Sequence, residues 1–171
     1  MFPEWADEDV SIGGFGWHQG WNDGCDENMT AAYESNLANL IQDLREEWKQ
    51  PTLPISIPVS GFTAMSQFPK RGHRSMDLLM YLAAGQGTVY DAEKTGRFAN
   101  ITAAQFAVGN PAKHPELGGH VSSMETRGFW REPRFSADSS QSYHYRWNAE
   151  THALIGQAMA TGVLKAMTAM I

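Results

Sequence analysis

The chain has 171 residues and a formal net charge of -6, with 42% hydrophobic and 19% charged residues. This length and composition predict one globular domain, partial in extent, over residues 1–171, with a short leader at residues 1–9. Because no basic surplus exists to neutralise phosphates, the charge argues against a nucleic-acid partner. No apolar run approaches the roughly 20 residues of a membrane-spanning helix, so no membrane partner is expected.

The sequence does not identify a compartment or a cofactor. The acidic leader lacks the basic-then-apolar order of a signal peptide. The single cysteine, Cys25, cannot form an internal disulfide and lies among acidic residues that disfavour a reactive thiolate. No pair of histidines has metal-ligand spacing, so we expect neither a metal nor another cofactor.

The first predicted elements are a strand, a polar loop and a long helix. An apolar, Gly-containing run over 10–17 predicts a buried strand, and a loop rich in Gly, Asn and Asp follows over 18–27. Apolar residues then recur at spacings of three and four from Tyr33 to Trp48, which predicts one face of an amphipathic helix. Either Asn28 or Thr30 is expected to cap the N-terminus of this helix.

The second half of the chain continues this alternation. A second strand is predicted over 55–62, although Pro58 within it is a residue usually confined to sheet edges or bulges. The last helix is expected to place Met159, Met167 and Met170 in the core. Two helices are predicted over 76–84 and 101–108, and a third strand over 120–126. The last helix is predicted over 148–169.

Strands separated by helices of this length predict a parallel sheet covered on both faces, that is, an α/β fold. Three strands are few for such a sheet. The pattern therefore predicts a fold from which one or more N-terminal βα units are missing. An uncovered edge of this kind would favour self-association.

Two polar loops are expected where parallel sheets gather reactive groups, at the carboxyl ends of strands. The loop over 18–23 contains Gln19 and Asn22, whose amides can stabilise an oxyanion or simply bind backbone carbonyls. The loop over 138–148 contains His144, which suits a general base but which can equally be a structural histidine. The residues alone leave both alternatives open.

The same two loops carry a family resemblance. The run from Gly14 to Gly20, which ends in His-Gln-Gly, precedes an amphipathic helix and a strand that begins near Leu53-Pro54. The run from Gln141 to Asn148 precedes the last helix. Together they resemble the sialate O-acetylesterase-like proteins, carbohydrate esterase family six of the SGNH hydrolase superfamily. Shorter likenesses lie at 104–107 and 125–130.

This resemblance implies a flavodoxin-like SGNH three-layer α/β sandwich and the removal of acetyl groups from sugars or polysaccharides. It assigns His144 as the base that activates a serine, and Gln19 and Asn22 as oxyanion donors. The family's acid lies three residues before the histidine, where this chain has Gln141, so Asp138 is the candidate acid. Residues of these loops expected to contact the acetylated carbohydrate are His18, Trp21, Tyr143 and Trp147.

The chain departs from the family at the nucleophile. No Gly-Gln-Ser or Gly-Asp-Ser block occurs, and Trp21 replaces the glutamate expected after His-Gln-Gly. The sequence therefore predicts a truncated esterase that would need another polypeptide to supply the serine. Full-length members of the family are often extracytoplasmic.

A non-catalytic carbohydrate-binding protein is the alternative interpretation. Aromatic rings can stack on the apolar faces of sugars, and the loops are rich in them. The aromatic residues on which this alternative depends are Trp17, Trp21, Trp130, Tyr143, Tyr145 and Trp147.

Overall fold

A computed structural model describes residues 11–60, 96–131, 135–136 and 142–168. The helix predicted over 76–84 lies outside these residues. The described strands are β1 (Phe15–Gly16), β2 (Ile55–Val59) and β3 (Val121–Glu125). The described α-helices are α1 (Trp21–Gly24), α2 (Glu27–Glu47), α3 (Arg97–Val108) and α4 (Ala149–Thr168). Short 3-10 segments lie at Pro115–Leu117 and Arg127–Phe129, and a turn with several left-handed residues spans Ser142–Trp147.

The three strands form one parallel sheet in the order β1-β2-β3. Phe15 pairs with Ile55, which pairs in turn with Val121. The predicted parallel sheet is confirmed, but the first strand is shorter than the predicted run over 10–17. Its Gly16 lies against α4, where an added Cβ would approach Met159 Sδ to 2.1 Å. This close approach explains the glycine in this half-buried strand.

Pro58 lies in the central strand of this described sheet, where a proline would normally remove a ladder hydrogen bond. The carbonyls of Pro54 and Ser56 point towards β1 and accept from Phe15 and Trp17. Pro58 faces the same side but lies beyond the last ladder bond of β1. Because proline has no N–H, it cannot supply the next donor of the ladder, which would bond to the Trp17 carbonyl, and the pairing with β1 ends here. The Pro58 carbonyl accepts instead from the side chain of His18.

Helices cover both faces of the sheet. Ile55 and Ile57 of β2 are fully buried in the core that α2 and α3 form on one face. The alternate residue, Ser56, faces Gly162 of α4 on the other. This period-two alternation in β2 yields three layers, as expected of an α/β SGNH-like fold. The buried residues of the larger core are Tyr33, Leu37, Ala38, Ile41, Leu53, Ile55, Ile57, Ile101, Ala104, Val108, Leu117 and Val121.

Helix α2 begins earlier than the sequence indicated. Its N-cap is Asp26, whose carboxylate accepts a hydrogen bond from the Met29 N–H at 2.9 Å. The predicted caps, Asn28 and Thr30, are therefore wrong. The Thr30 hydroxyl instead donates backwards to the carbonyl of Asp26 at 2.7 Å, from within the first turn.

The last turn of α2 carries a buried cation, Arg45. Its guanidinium donates to the carbonyls of Leu53, Leu117 and His120, which precede β2 and β3. A planar group with five donors suits several carbonyls at once. Arg45 thus holds together the amino ends of two strands, at the edge opposite the candidate site.

The predicted core face of the last helix is only partly correct. Ile155, Ala158, Gly162 and Ala166 of α4 are buried, whereas Met167 is 49% exposed. Small residues let the helix approach the sheet closely, so the larger methionine lies at the rim of the contact. Met170 lies outside the described residues. No helix in the described part of the chain is long and apolar enough to cross a membrane.

Candidate active site

The carboxyl ends of the three parallel strands lead into the polar segments singled out by the sequence. β1 leads into His18 and Gln19, β2 ends beside Ser60, and β3 is followed by Thr126. The Thr126 hydroxyl donates to the carbonyl of Val59, the last residue of β2, at 2.6 Å. The segments after β2 and β3 are therefore held together at this edge.

A contact between His18 and Tyr145 joins the first loop to the C-terminal segment. The Tyr145 hydroxyl lies 3.2 Å from His18 Nε2, and the two rings stack with centroids 5.7 Å apart. His18 Nδ1 lies 3.0 Å from the carbonyl oxygen of Pro58. Burial lowers the pKa of His18, the Pro58 hydrogen bond partly opposes this, and nearby His152 lowers the pKa further. A neutral imidazole therefore links both polar loops to the centre of the sheet.

His144 lies next to this contact and is exposed. Its ring centroid is 5.0 Å from that of Trp147. Its backbone carbonyl accepts a hydrogen bond from His152 Nε2 at 3.2 Å, which ties it to the first turns of α4. An exposed imidazole beside the sheet edge is accessible to a substrate. His152 thus supports the segment that carries His144.

The turn around His144 has an unusual backbone. Tyr145, Arg146 and Trp147 all have positive φ, between 51° and 57°. Non-glycine residues adopt this left-handed conformation infrequently, so neighbouring contacts must hold it. Tyr145 is only 4% exposed and packs with Trp130 and Ile155. The buried tyrosine therefore anchors the turn while His144 remains at the surface.

The side chain of Gln19 contacts α1, whereas that of His18 contacts Tyr145. Its amide Nε2 donates to the carboxylate of Asp23. It lines a shallow pocket together with Trp17, Tyr33 and other residues of α2. The segments that carry Gln19 and His144 therefore meet through the neighbouring residues His18 and Tyr145. The two side chains themselves contact different residues in the described structure.

Asn22 and Trp21 lie on the short helix α1. Asn22 is exposed. Trp21 is half-buried and stacks on Phe98 of α3, with ring centroids 5.0 Å apart. It packs beside the Trp130 and Tyr145 cluster. The tryptophan that replaces the family's glutamate is thus largely a packing residue in this arrangement.

Three residues of the C-terminal polar loop have no described side chain. Asp138 lies outside the described residues, as does Gln141. The Tyr143 side chain is likewise outside them. Trp147, in contrast, is 52% exposed. It is the candidate substrate-contacting residue with the most accessible described ring.

Gln105 organises this edge, a role that the sequence pattern did not predict. Its side chain is fully buried. It donates to the Gln19 carbonyl at 2.8 Å and to the Tyr33 hydroxyl at 3.1 Å, while its oxygen accepts from Ser60. A glutamine on the apolar face of α3, in the spacing of Ile101 and Val108, was the available signal.

No group of three or more His, Cys, Asp or Glu side chains is placed to hold a metal ion within the described ranges. His114 does meet two carboxylates, those of Glu34 and Glu116. Those three residues form an ion-pair cluster near Pro115–Leu117, before β3, and thus at the opposite edge from His144.

Residues 4–75 match the family model described as carbohydrate esterase, sialic acid-specific acetylesterase. Residues 4–75 are therefore similar to a sialate O-acetylesterase-like domain. The match includes β1, the Gln19 loop, α2 and β2, and it stops before α3. Searches of curated proteins and of solved structures gave no match.

Over residues 4–75 the match agrees with the family resemblance of the sequence, and the parallel α/β sheet is consistent with it. It supports a carbohydrate acetylesterase kind of function for the sialate O-acetylesterase-like domain. The segment with His144 lies beyond the matched residues. The roles of His144, Gln19, Asn22 and Asp138 therefore stay predictions.

Proposed function

We propose that this chain supplies the general base and the oxyanion-binding loop of an esterase that hydrolyses acetyl esters on sugars or polysaccharides. The observation that carries the proposal is the His18–Tyr145 contact. It joins the loop containing Gln19 to the segment containing His144 at the carboxyl edge of a parallel sheet. Reactive groups of α/β enzymes gather at this edge.

In the proposed reaction, His144 takes the proton of a serine hydroxyl as the serine oxygen attacks the acetyl carbonyl carbon. It then gives that proton to the departing sugar oxygen, which leaves the acetyl group on the serine. In the second half of the reaction His144 takes a proton from water, the water oxygen attacks the acetyl carbon, and acetate is released as the serine oxygen regains a proton. An amide N–H of Gln19 stabilises the negative oxygen that forms on the acyl carbon. The amide nitrogen has two N–H donors, so one is available beyond the Asp23 contact. Such a donor is commonly worth about 100- to 1,000-fold in rate.

The serine is proposed to come from a Gly-Gln-Ser block outside these 171 residues. Ser60 does not suit the role, although it lies at the end of β2. It is only 1% exposed, and its hydroxyl donates to Gln105 at 3.0 Å. A buried hydroxyl that is already bound cannot reach a polysaccharide.

Trp147 is the proposed contact for the sugar ring. Its exposed ring lies beside His144, so a stacked sugar would place its acetyl group near the base. Both ring nitrogens of His18 already lie close to protein oxygens. We therefore propose a supporting role for His18 rather than direct substrate binding.

Acetate release from acetylated xylan and from an aryl acetate tests the proposal. The chain is assayed alone and mixed with a family polypeptide that carries the Gly-Gln-Ser block. We expect turnover in the mixture, and a loss of at least about 1,000-fold in His144→Ala. His114→Ala is the matched control, because His114 lies at the opposite edge, and should keep full activity. Turnover that survives His144→Ala, or an associated mixture that releases no acetate, would reject the proposal.

Carbohydrate binding without catalysis is the second candidate, favoured by the exposed Trp147. The other aromatic residues support it less well: Trp130 and Tyr145 are only 4% exposed, and Trp17 packs against the main core. Tryptophan fluorescence titration with xylo-oligosaccharides tests this candidate. A saturable change that is lost in Trp147→Ala, with no ester hydrolysis in any mixture, would favour binding alone.

A further inference from the structure

His18 is held between two oxygen atoms of different chemistry, and these fix its tautomer. The Pro58 carbonyl at 3.0 Å can only accept, so Nδ1 of His18 must carry the hydrogen. In the neutral ring Nε2 then has a lone pair and no hydrogen. The Tyr145 hydroxyl, 3.2 Å away, must therefore be the donor to Nε2. The direction of both hydrogen bonds follows from the acceptor at one end.

The Pro58 carbonyl is available because of the way the sheet ends. β1 makes its last ladder bond from Trp17 to the Ser56 carbonyl. The next carbonyl on that side belongs to Pro58, and the imidazole of His18 occupies the place of the following ladder donor. The orientation of His18 is thus set by the backbone of β2, a rigid element.

Tyr145 lies in the part of the turn with the unusual backbone, directly beside His144. Its ring is buried beside Trp130, it meets His152 edge-on at 5.7 Å, and its φ is 51°. A non-glycine residue keeps such a conformation only where its surroundings hold it. The hydroxyl bond to His18 ties this residue to the sheet, and His144 is its immediate neighbour.

We propose that His18 is a positioning residue, which receives the hydrogen bond of Tyr145 and thereby fixes the turn Ser142–Trp147 that presents His144. The inference rests on the proposed function for its catalytic meaning. In this role Nε2 of His18 accepts the hydrogen bond of Tyr145, in addition to the packing of the ring at the end of β1.

Two substitutions of His18 separate these roles. An asparagine amide can replace Nδ1 and still donate to Pro58, but it does not reach Tyr145. A glutamine carbonyl can reach the place of Nε2 and accept from Tyr145. Positioning through Tyr145 predicts that His18→Gln preserves the turn better than His18→Asn. A role in completing the end of β1 predicts the reverse order.

Hydrogen exchange, measured on the whole chain, reports how well the turn is held and does not depend on catalytic activity. In Tyr145→Phe and in His18→Asn we expect amides of 144–148 to exchange roughly five- to tenfold faster, as for loss of one buried hydrogen bond. Amides in the middle of α4 serve as the internal control and should be unchanged. The double variant should exchange no faster than either single variant, because both remove the same bond.

Acetate release then tests the catalytic meaning in the mixture with the Gly-Gln-Ser polypeptide. Tyr145→Phe should lower kcat and leave KM nearly unchanged, since only the base is misplaced. Unchanged exchange of 144–148 in Tyr145→Phe, or equal behaviour of His18→Asn and His18→Gln, would overturn the positioning role. Faster exchange in a chain that shows no esterase activity in any mixture would keep the positioning role and reject the proposed function instead.

Discussion

Gln105 accepts two hydrogen bonds from Ser60, one from the backbone N–H at 2.9 Å and one from the hydroxyl at 3.0 Å. Its amide nitrogen donates to the Gln19 carbonyl and to the Tyr33 hydroxyl. All four hydrogen-bonding positions of the amide are therefore used. One buried side chain holds the loop after β1, the end of β2 and helix α2 in fixed relation.

Replacing Gln105 with leucine should consequently destabilise the chain by about 3 kcal/mol or more, since each orphaned buried group costs about 1–3 kcal/mol. Urea unfolding monitored by far-ultraviolet circular dichroism measures the change. Gln157→Leu is the matched control, because Gln157 is exposed on α4, and should stay within about 0.5 kcal/mol of the parent. A Gln105→Leu chain as stable as this control would contradict the hydrogen-bonding role.

The contact between α4 and the sheet predicts a second pair of effects. A Cβ added to Gly162 would lie 2.1 Å from the Ser56 hydroxyl oxygen and 2.7 Å from Met124 Cγ. We expect Gly162→Ala to cost about 1–2 kcal/mol, because overpacking outweighs the better helix propensity of alanine. The free energy of unfolding in urea measures this cost.

Two controls make this test specific. Gly156 lies on the same helix with nothing within 4 Å of an added Cβ, so Gly156→Ala should stabilise by about 1 kcal/mol. The buried Ser56 hydroxyl has no hydrogen-bond partner among the described residues. Ser56→Ala should therefore be neutral or stabilising alone, and should recover part of the loss in Gly162→Ala. Additive effects of the two substitutions would show that the residues do not meet.

The sequence predicted best those features that repeat locally. The spacing of Tyr33, Leu37 and Ile41 correctly gave the buried face of α2, and the strand predicted over 120–126 agrees closely with β3. Apolar periodicity records which side of an element faces the core. Parallel pairing was predicted from the helices between strands, since parallel strands need crossover connections of this length.

Features that depend on residues far apart in the sequence could not be predicted from local patterns. Pro58 in a central strand lies where the ladder to β1 ends, and the sequence of β2 does not record where its neighbour's pairing stops. The cap at Asp26 was missed because several polar residues in the loop are competent caps. Gln105 and His18 have partners 45 and 127 residues away. Their roles depend on the folded edge rather than on any local pattern.

The His114 cluster predicts a pH dependence of stability on the basic side. Burial alone would lower the pKa of His114, but hydrogen bonds and charge from Glu116 and Glu34 outweigh it and raise the pKa. A raised pKa means that the folded chain holds a proton that the unfolded chain has released. This stabilisation is complete below pH 6.5 and is lost as pH rises through the raised pKa.

Urea unfolding between pH 6 and 9 tests this expectation against His114→Gln. The parent should lose more stability than the variant as the pH rises, and the difference should shrink in high salt because both carboxylates are partly exposed. Parallel stability curves for the two chains would show that the cluster contributes nothing through charge.

His18 predicts the opposite dependence, on the acid side. Burial lowers its pKa, so the unfolded chain binds a proton that the folded chain resists. Stability from a neutral His18 is therefore complete above pH 6.5 and falls as the pH drops below that value. Protonation of Nε2 would also remove the acceptor of Tyr145, so the turn beside His144 should loosen in the same pH range.

Comparison of the parent with His18→Gln isolates this contribution, because His114 is present in both chains and cancels from the difference. Between pH 7 and pH 5 the parent should lose more stability than the variant, measured by urea unfolding at each pH. Hydrogen exchange of 144–148, corrected for its intrinsic pH dependence, should accelerate over the same range in the parent and much less in His18→Gln. A parent chain whose stability falls no faster than that of the variant would show that the fold does not lower the pKa of His18, and would contradict a neutral imidazole that accepts from Tyr145.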